Sequence, residues 1–217
     1  MNGSGGRALL LDLGGTAFSS GLERLALLGE REPAVRDVAA RRGPLGPEPD
    51  PLWDAMLRGE ITEREYWQAR SAEVGAALGR PGWPITTFMH LLYGLVEDVL
   101  RPEAGALIAD AQAAGLPVGA LTNDLKAFHG DGAMAASPVL MGLDALVDGS
   151  VTGVLKPDPR AYAIAAEALG RPASEIVFVD DMPCNVDAGR EAGMIALLLD
   201  LADPAEVFGR ARKELGL

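Results

Sequence analysis

The stretch "RALLLDLGGT", residues 7–16, decides the reading of the fold. Its aliphatic run ends on Asp12, and the chain then turns on Gly14 and Gly15. A run that is apolar throughout, rather than alternating, suits a strand buried on both faces of a parallel sheet. Similar runs recur as "PVGALTN" (117–123), "EIVFVDD" (175–181) and "MIALLLD" (194–200), and "ALVDGSV" (145–151) adds a shorter one. Between them lie the helical patterns "EAGALIADAQAAG" (103–115), "DPRAYAIAAEALG" (158–170) and "NVDAGREAG" (185–193), each closed by glycine. Strand and helix in alternation predict an α/β fold: a Rossmann-like, doubly wound parallel sheet with right-handed crossovers.

Residues 18–101 break that alternation and show no strand pattern. "PLWDAMLRGEITEREYWQARSAEVGAALG" (51–79) reads as helical, with "TERE" (62–65) as an N-terminal cap, and "ITTFMHLLYGLVEDVL" (85–100) reads as another helix. "RRGPLGPEPDP" (41–51) interrupts them. The expected organisation is a core of residues 1–17 and 102–217 with an α-helical insertion at 18–101. Trp53, Trp67, Trp83, Phe88 and Tyr93 are expected to pack inside that insertion. His90 reads as structural there and His129 as a loop residue.

The chain has 217 residues, 48% of them hydrophobic and 23% charged, and a net charge of −12. That acidity argues against a nucleic-acid or acidic-membrane partner, which calls for a basic face. No apolar run approaches the roughly 18–20 residues of a membrane span. The N-terminal apolar run is short for a signal peptide and is cut by Asp12. The natural reading is a cytoplasmic protein, monomeric or homodimeric. Cys184 is the single cysteine, and His90 and His129 are the two histidines. Nitrogen and sulfur metal sites are disfavoured by that composition, so a metal here is one held by oxygen, magnesium or calcium. Cys184 reads as packing.

In open parallel sheets, ligands bind outside the carboxyl ends of the strands. There the sequence places Asp12, Thr122–Asn123 and Asp180–Asp181, with Lys156 in the loop after residues 145–151. A carboxylate can attack phosphorus, provided that cations offset the repulsion between it and a phosphate dianion. Lys156 is one such cation, and a Mg²⁺ ion held by Asp12 and Asp181 is another. Thr122 and the N–H groups around Gly15 suit the phosphate oxygens.

The order of these motifs resembles the haloacid dehalogenase-like superfamily of hydrolases. "DLGGT" (12–16) matches the first and last positions of the family's Asp-x-Asp-x-Thr/Val motif. "GALTN", "LKPDPRAY" and "FVDDMPCNVDAG" resemble its second, third and fourth motifs, and the helical insertion lies where some members carry a cap. The resemblance spans essentially the whole chain. It implies a phosphatase acting on a small phosphorylated molecule through an aspartyl-phosphate. Asp12 would be the nucleophile, and Thr122 and Lys156 would bind phosphate, with Asn123 and Gly15 contributing. Asp12, the Gly14 carbonyl and Asp181 would surround Mg²⁺, with Asp180 a further ligand, direct or through water. Asn185 and Asn123 would support the site by hydrogen bonding.

At Gly14 the sequence departs from the family's phosphatases, which carry there the acid that protonates the leaving group. Glu60, Glu63 and His90 are candidate replacements within the insertion. Two other readings share that gap. One is a family dehalogenase attacking carbon, which needs neither metal nor acidic pair. The other is a catalytically weak member that binds a phosphorylated ligand. Phosphonate-cleaving members use a cap lysine, and the lysines of this chain, Lys126, Lys156 and Lys213, all lie outside the insertion.

Overall fold

The computed structural model describes residues 6–94, 99–132 and 137–217. Five parallel strands form one sheet: β1 (Ala8–Leu11), β2 (Val118–Thr122), β3 (Ala145–Asp148), β4 (Ile176–Asp180) and β5 (Ile195–Leu198). Their spatial order is β3-β2-β1-β4-β5. The chain builds one half of the sheet outward from β1, then crosses back to build the other half. Strands β1, β2 and β4 are buried along their whole length, which is why their sequences carry no polar alternation.

Helices Pro159–Leu169 and Pro183–Glu191 pack on one face, where Leu10, Leu121, Tyr162, Phe178 and Val186 share a cluster. Helices Pro102–Ala113 and Pro204–Leu215 pack against each other and against β2 and β4. The expected α/β fold with all five strands is therefore present. The order reverses between β1 and β4, the place where such sheets hold their ligands.

The described residues divide into two compact units. The sheet unit falls within Met1–Ser19, Val99–Lys126 and Asp131–Leu217; the other falls within Ser20–Asp98 and Ala127–Gly130. The two linkers are joined to one another inside the sheet unit. Ser19 N–H donates to Val99 O (2.8 Å), Arg101 N–H donates to Ala17 O (2.9 Å), and Phe18 and Leu100 form an antiparallel bridge.

The second unit is helical. Helix Gly21–Arg31, which the sequence reading did not single out, starts with a capping box of Ser20 and Glu23. The stretch read as one helical region over 51–79 is two helices, Pro51–Leu57 and Glu63–Ala77, parted at Gly59 with φ +72°. Thr62 and Glu65 form the expected cap of the second. Helix Ile85–Tyr93 ends at Gly94; of the longer helix expected over 85–100, residues 95–98 lie outside the described residues. Trp67 and Phe88 are buried and Trp53, Trp83 and Tyr93 half-buried, as expected of core aromatics. His129, read as a loop residue, instead ends a short helix, Leu125–His129.

Buried polar groups hold this unit together. Asp50 accepts from Tyr66 Oη (2.9 Å) and from the N–H groups of Gly43 (2.9 Å) and Trp53 (3.0 Å), and it pairs with Arg70. Arg70 is 1% exposed. Removing one member of a buried ion pair leaves the other charge uncompensated, at a cost of about 3–5 kcal/mol, whereas replacing both by apolar groups is often neutral. Arg70 keeps a second carboxylate, the more exposed Glu73 (2.5 Å), so Asp50→Ala is expected to lower stability by about 3 kcal/mol, the low end of that range, in urea unfolding. Asp50→Leu/Arg70→Met should recover most of that loss; a double variant no more stable than the single would refute the account.

Candidate functional site

The carboxyl ends of β1 and β4 lie side by side, with Leu11 paired to Val179 and Asp12 N–H donating to Val179 O (2.9 Å). The residues that end these strands, Asp12 and Asp180, are both buried. Two dry carboxylates on neighbouring strands repel each other and disfavour ionisation. Lys156 answers both. Its Nζ donates to Asp12 Oδ1 (2.6 Å) and to Asp180 Oδ2 (2.6 Å), and it lies 5.7 Å from the centre of the Phe178 ring.

Lys156 is held from behind. Asn123 Oδ1 accepts from its N–H (2.7 Å), and Asn123 Nδ2 donates to its carbonyl (3.1 Å). The Lys156–Pro157 peptide bond is cis. Asn123, expected on the substrate and also as a hydrogen-bonding support of the site, uses both ends of its amide to fix the lysine, because the loop carrying Lys156 passes beside the end of β2.

Asp180 also differs from expectation. Its Oδ1 accepts from Met182 N–H (2.8 Å) and Asn185 Nδ2 (3.0 Å), and its Oδ2 from Lys156 and again from Asn185 (3.2 Å). A carboxylate offers about four acceptor positions, and these four contacts occupy them. Asp180 anchors Lys156. Asn185 supports it as expected. Tyr162, which the sequence reading passed over, donates its hydroxyl to Asn185 O (2.7 Å) and fixes the start of that helix.

The turn after β1 is tightly built. Gly15 has φ +93°, its N–H donates to Phe18 O (3.1 Å), and a Cβ placed on it would lie 2.3 Å from Asp181 Oδ2. Only glycine allows Asp181 to lie against the turn there. Gly14 is exposed, and a Cβ on it would meet nothing within 4 Å. Thr122 is buried at the end of β2, beside β1. Asp148 ends β3 and accepts from Ser150 N–H (2.9 Å) and Lys126 N–H (2.7 Å), so it braces the loops on that edge. The acid in "ALVDGSV" was the signal for it. Cys184, expected to pack, is exposed on its helix.

Among the described residues, no three His, Cys, Asp or Glu side chains gather as a metal cage. Magnesium does not require one. It keeps several waters and is bound through one or two carboxylates plus substrate oxygens. Asp12 and Asp181, on either side of a glycine turn that a Cβ would fill, fit that donor class.

The other expected acids lie in the helical unit. Glu60 is exposed and paired with Arg58 (2.6 Å), Glu63 begins helix Glu63–Ala77, and His90 is exposed with its Nε2 3.3 Å from His129 O. Burial, with a contribution from His90, lowers His129 to about 4, so its ring is neutral near pH 7.

Burial raises Asp12 from 3.8 to about 6; Lys156 pulls it down and Asp180 pushes it up. Burial acts to lower Lys156, but Asp12 and Asp180 outweigh it and hold the ammonium above its ordinary value. Lys156 is therefore charged across the working pH range and is no proton donor.

The haloacid dehalogenase-like hydrolase family model matches residues 7–193 of the chain. Phosphatase MT3486 of Mycobacterium tuberculosis is 35% identical over 99 residues, 46% of this chain and 46% of that protein. The chain thus aligns with less than half of that relative's length. The sesquiterpene phosphatase of Aspergillus oryzae is 28% identical over 150 residues, 68% of this chain and 71% of that protein. Among solved structures, the L-2-haloacid dehalogenase of Xanthobacter autotrophicus with chloropropionic acid covalently bound superposes with a TM-score of 0.58. It is 20% identical, covering 89% of this chain and 77% of that one. At that identity the likeness is one of fold.

Because the folded value of Asp12 lies above its ordinary one, the folded protein keeps a proton between about pH 4 and 6 that the unfolded chain gives up. The stabilisation is full at the acid end of that window and is lost as pH rises through about 6. Without metal, wild type should lose about 3 kcal/mol relative to Asp12→Asn between pH 4 and 7, two units at about 1.4 kcal/mol each. Urea unfolding in EDTA at the two pH values measures it; a difference independent of pH contradicts the assignment.

Proposed function

The chain belongs to the haloacid dehalogenase-like hydrolases, and from that membership we propose that it is a Mg²⁺-dependent phosphatase of small phosphate esters acting through an aspartyl-phosphate. The observation that carries this reading is Lys156 Nζ at 2.6 Å from both Asp12 and Asp180. Two carboxylates against one ammonium leave a net negative charge in a dry site, which favours a further cation. The phosphatases among its relatives support the reaction class.

Asp12 and Asp181, with the Gly14 carbonyl, would hold magnesium. When bound, the ion polarises the phosphoryl oxygens and neutralises their charge. Asp12 attacks phosphorus, the bond from phosphorus to the ester oxygen breaks, and water later hydrolyses the acyl-phosphate. Lys156 screens the approach of Asp12 to the dianion as a fixed point charge. Thr122 binds the non-bridging oxygens, the Gly15 N–H being taken by Phe18 O. The helical unit is the counterpart of the family's cap. Substrate is a small phosphorylated molecule, and the setting is cytoplasmic.

Gly14 offers no acid for the departing alkoxide, and Lys156 does not supply one. General acid–base help is worth about 10²–10⁴-fold, so slow hydrolysis of alkyl phosphates is expected. Gly14→Asp meets open space, and it should leave the melting temperature unchanged. It should raise kcat on alkyl phosphates more than on aryl phosphates, by up to about 10²-fold. Equal effects across esters of graded leaving-group pKa count against this role.

The direct test is a screen of phosphorylated metabolites with and without Mg²⁺, beside Asp12→Asn. Turnover that needs Mg²⁺ and vanishes in Asp12→Asn is the expected result. Activity surviving in Asp12→Asn removes the nucleophile. Halide release from haloacids, insensitive to EDTA, would replace the phosphatase reading with attack at carbon. Tight binding of a phosphate ester without turnover would make the chain a ligand-binding member.

A further inference from the structure

Arg101 takes no part in the chemistry described so far. It closes the return linker and precedes helix Pro102–Ala113, yet it is 9% exposed. Its Nε and Nη2 both donate to a single acceptor, Gly15 O, at 3.2 and 3.1 Å. Its own N–H donates to Ala17 O (2.9 Å), and its carbonyl accepts from Gly105 N–H (2.9 Å). The main chain of Arg101 is thus anchored on both sides, and its guanidinium is aimed at the turn after β1.

Gly15 is held at three points. Phe18 O takes its N–H, Arg101 holds its carbonyl, and the Asp181 carboxylate lies where a Cβ would stand. The peptide between Gly14 and Gly15 and the carboxylate of Asp181 are two of the groups assigned above to magnesium.

We propose that Arg101 is a positioning residue for the cation site: it fixes the Gly14–Gly15 turn and, through Gly15, the placement of Asp181 against it. The proposal rests on the magnesium reading of the same site. Its fork matters as well as its charge, because lysine would offer Gly15 O a point charge without the planar pair of donors.

The test is equilibrium binding of Mn²⁺ to the full-length protein, read as loss of the free-ion paramagnetic resonance signal, for wild type, Arg101→Lys and Arg101→Met. Thermal melts are recorded in EDTA. Loss of a group that orients metal ligands weakens the metal about 10- to 100-fold. Arg101→Met is expected to weaken Mn²⁺ by that amount, and Arg101→Lys to fall between it and wild type. The concentration of Mg²⁺ that half-activates turnover should move in parallel, with kcat at saturating Mg²⁺ much less affected. If Arg101→Met does not fold, Arg101→Lys decides alone, and an affinity equal to wild type overturns the proposal. Wild-type Mn²⁺ affinity in both folded variants overturns the assignment of Arg101 and leaves the phosphatase reading standing. Absence of Mn²⁺ binding by wild type itself overturns the magnesium reading and the role of Arg101 with it.

Discussion

Lys156 Nζ stands 2.6 Å from Asp12 and 2.6 Å from Asp180, at the ends of two adjacent strands and out of water. The carboxyl edge of this sheet depends on that sharing. Without the ammonium, two carboxylates at neighbouring strand ends would have to take up protons or unpack to reach water. With it, one acid is fully satisfied and the other is not. Asp180 meets three donors through four contacts, while Asp12 is pushed up to about 6 by burial and by its neighbour. The same ammonium thus faces one carboxylate held by further donors and one raised by burial.

Much of the surrounding structure serves to keep that lysine in place. Asn123 clamps its main chain, Asn185 and Met182 N–H hold its anchor, and Tyr162 holds Asn185. These groups come from the segment after β2, the turn after β4 and two helices, which meet only because β2, β1 and β4 are adjacent. Each bond is short-range, but their convergence is a property of strand order. The glycine turn completes the edge: Gly15 brings Asp181 close, and a side chain on Gly14 would meet open space.

The strands were legible because burial on both faces writes a continuous apolar run, and the acids at their ends stand out against it. Helix starts were legible where a cap carries its own chemistry, as at Thr62 and Glu65. Other features were not. The break at Gly59 lies inside a run with helical composition, and a single glycine does not announce a turn. Asp180 and Asp181 look equivalent in "VDDM", yet one is buried against Lys156 and the other lies against Gly15, since successive residues at a strand end point to opposite sides. Arg101 carries no local signal, because its partner is 86 residues away in the chain.

The sequence by itself determined the α/β class, the number of core strands and the residue types gathered at their carboxyl ends, because periodicity and charge are local properties of the chain. Only the tertiary structure decided which carboxylate is spent on Lys156, what Asn123 holds, and that a buried arginine reaches the turn at Gly15. Those outcomes depend on distances between strands and loops far apart in sequence, and no local pattern encodes them.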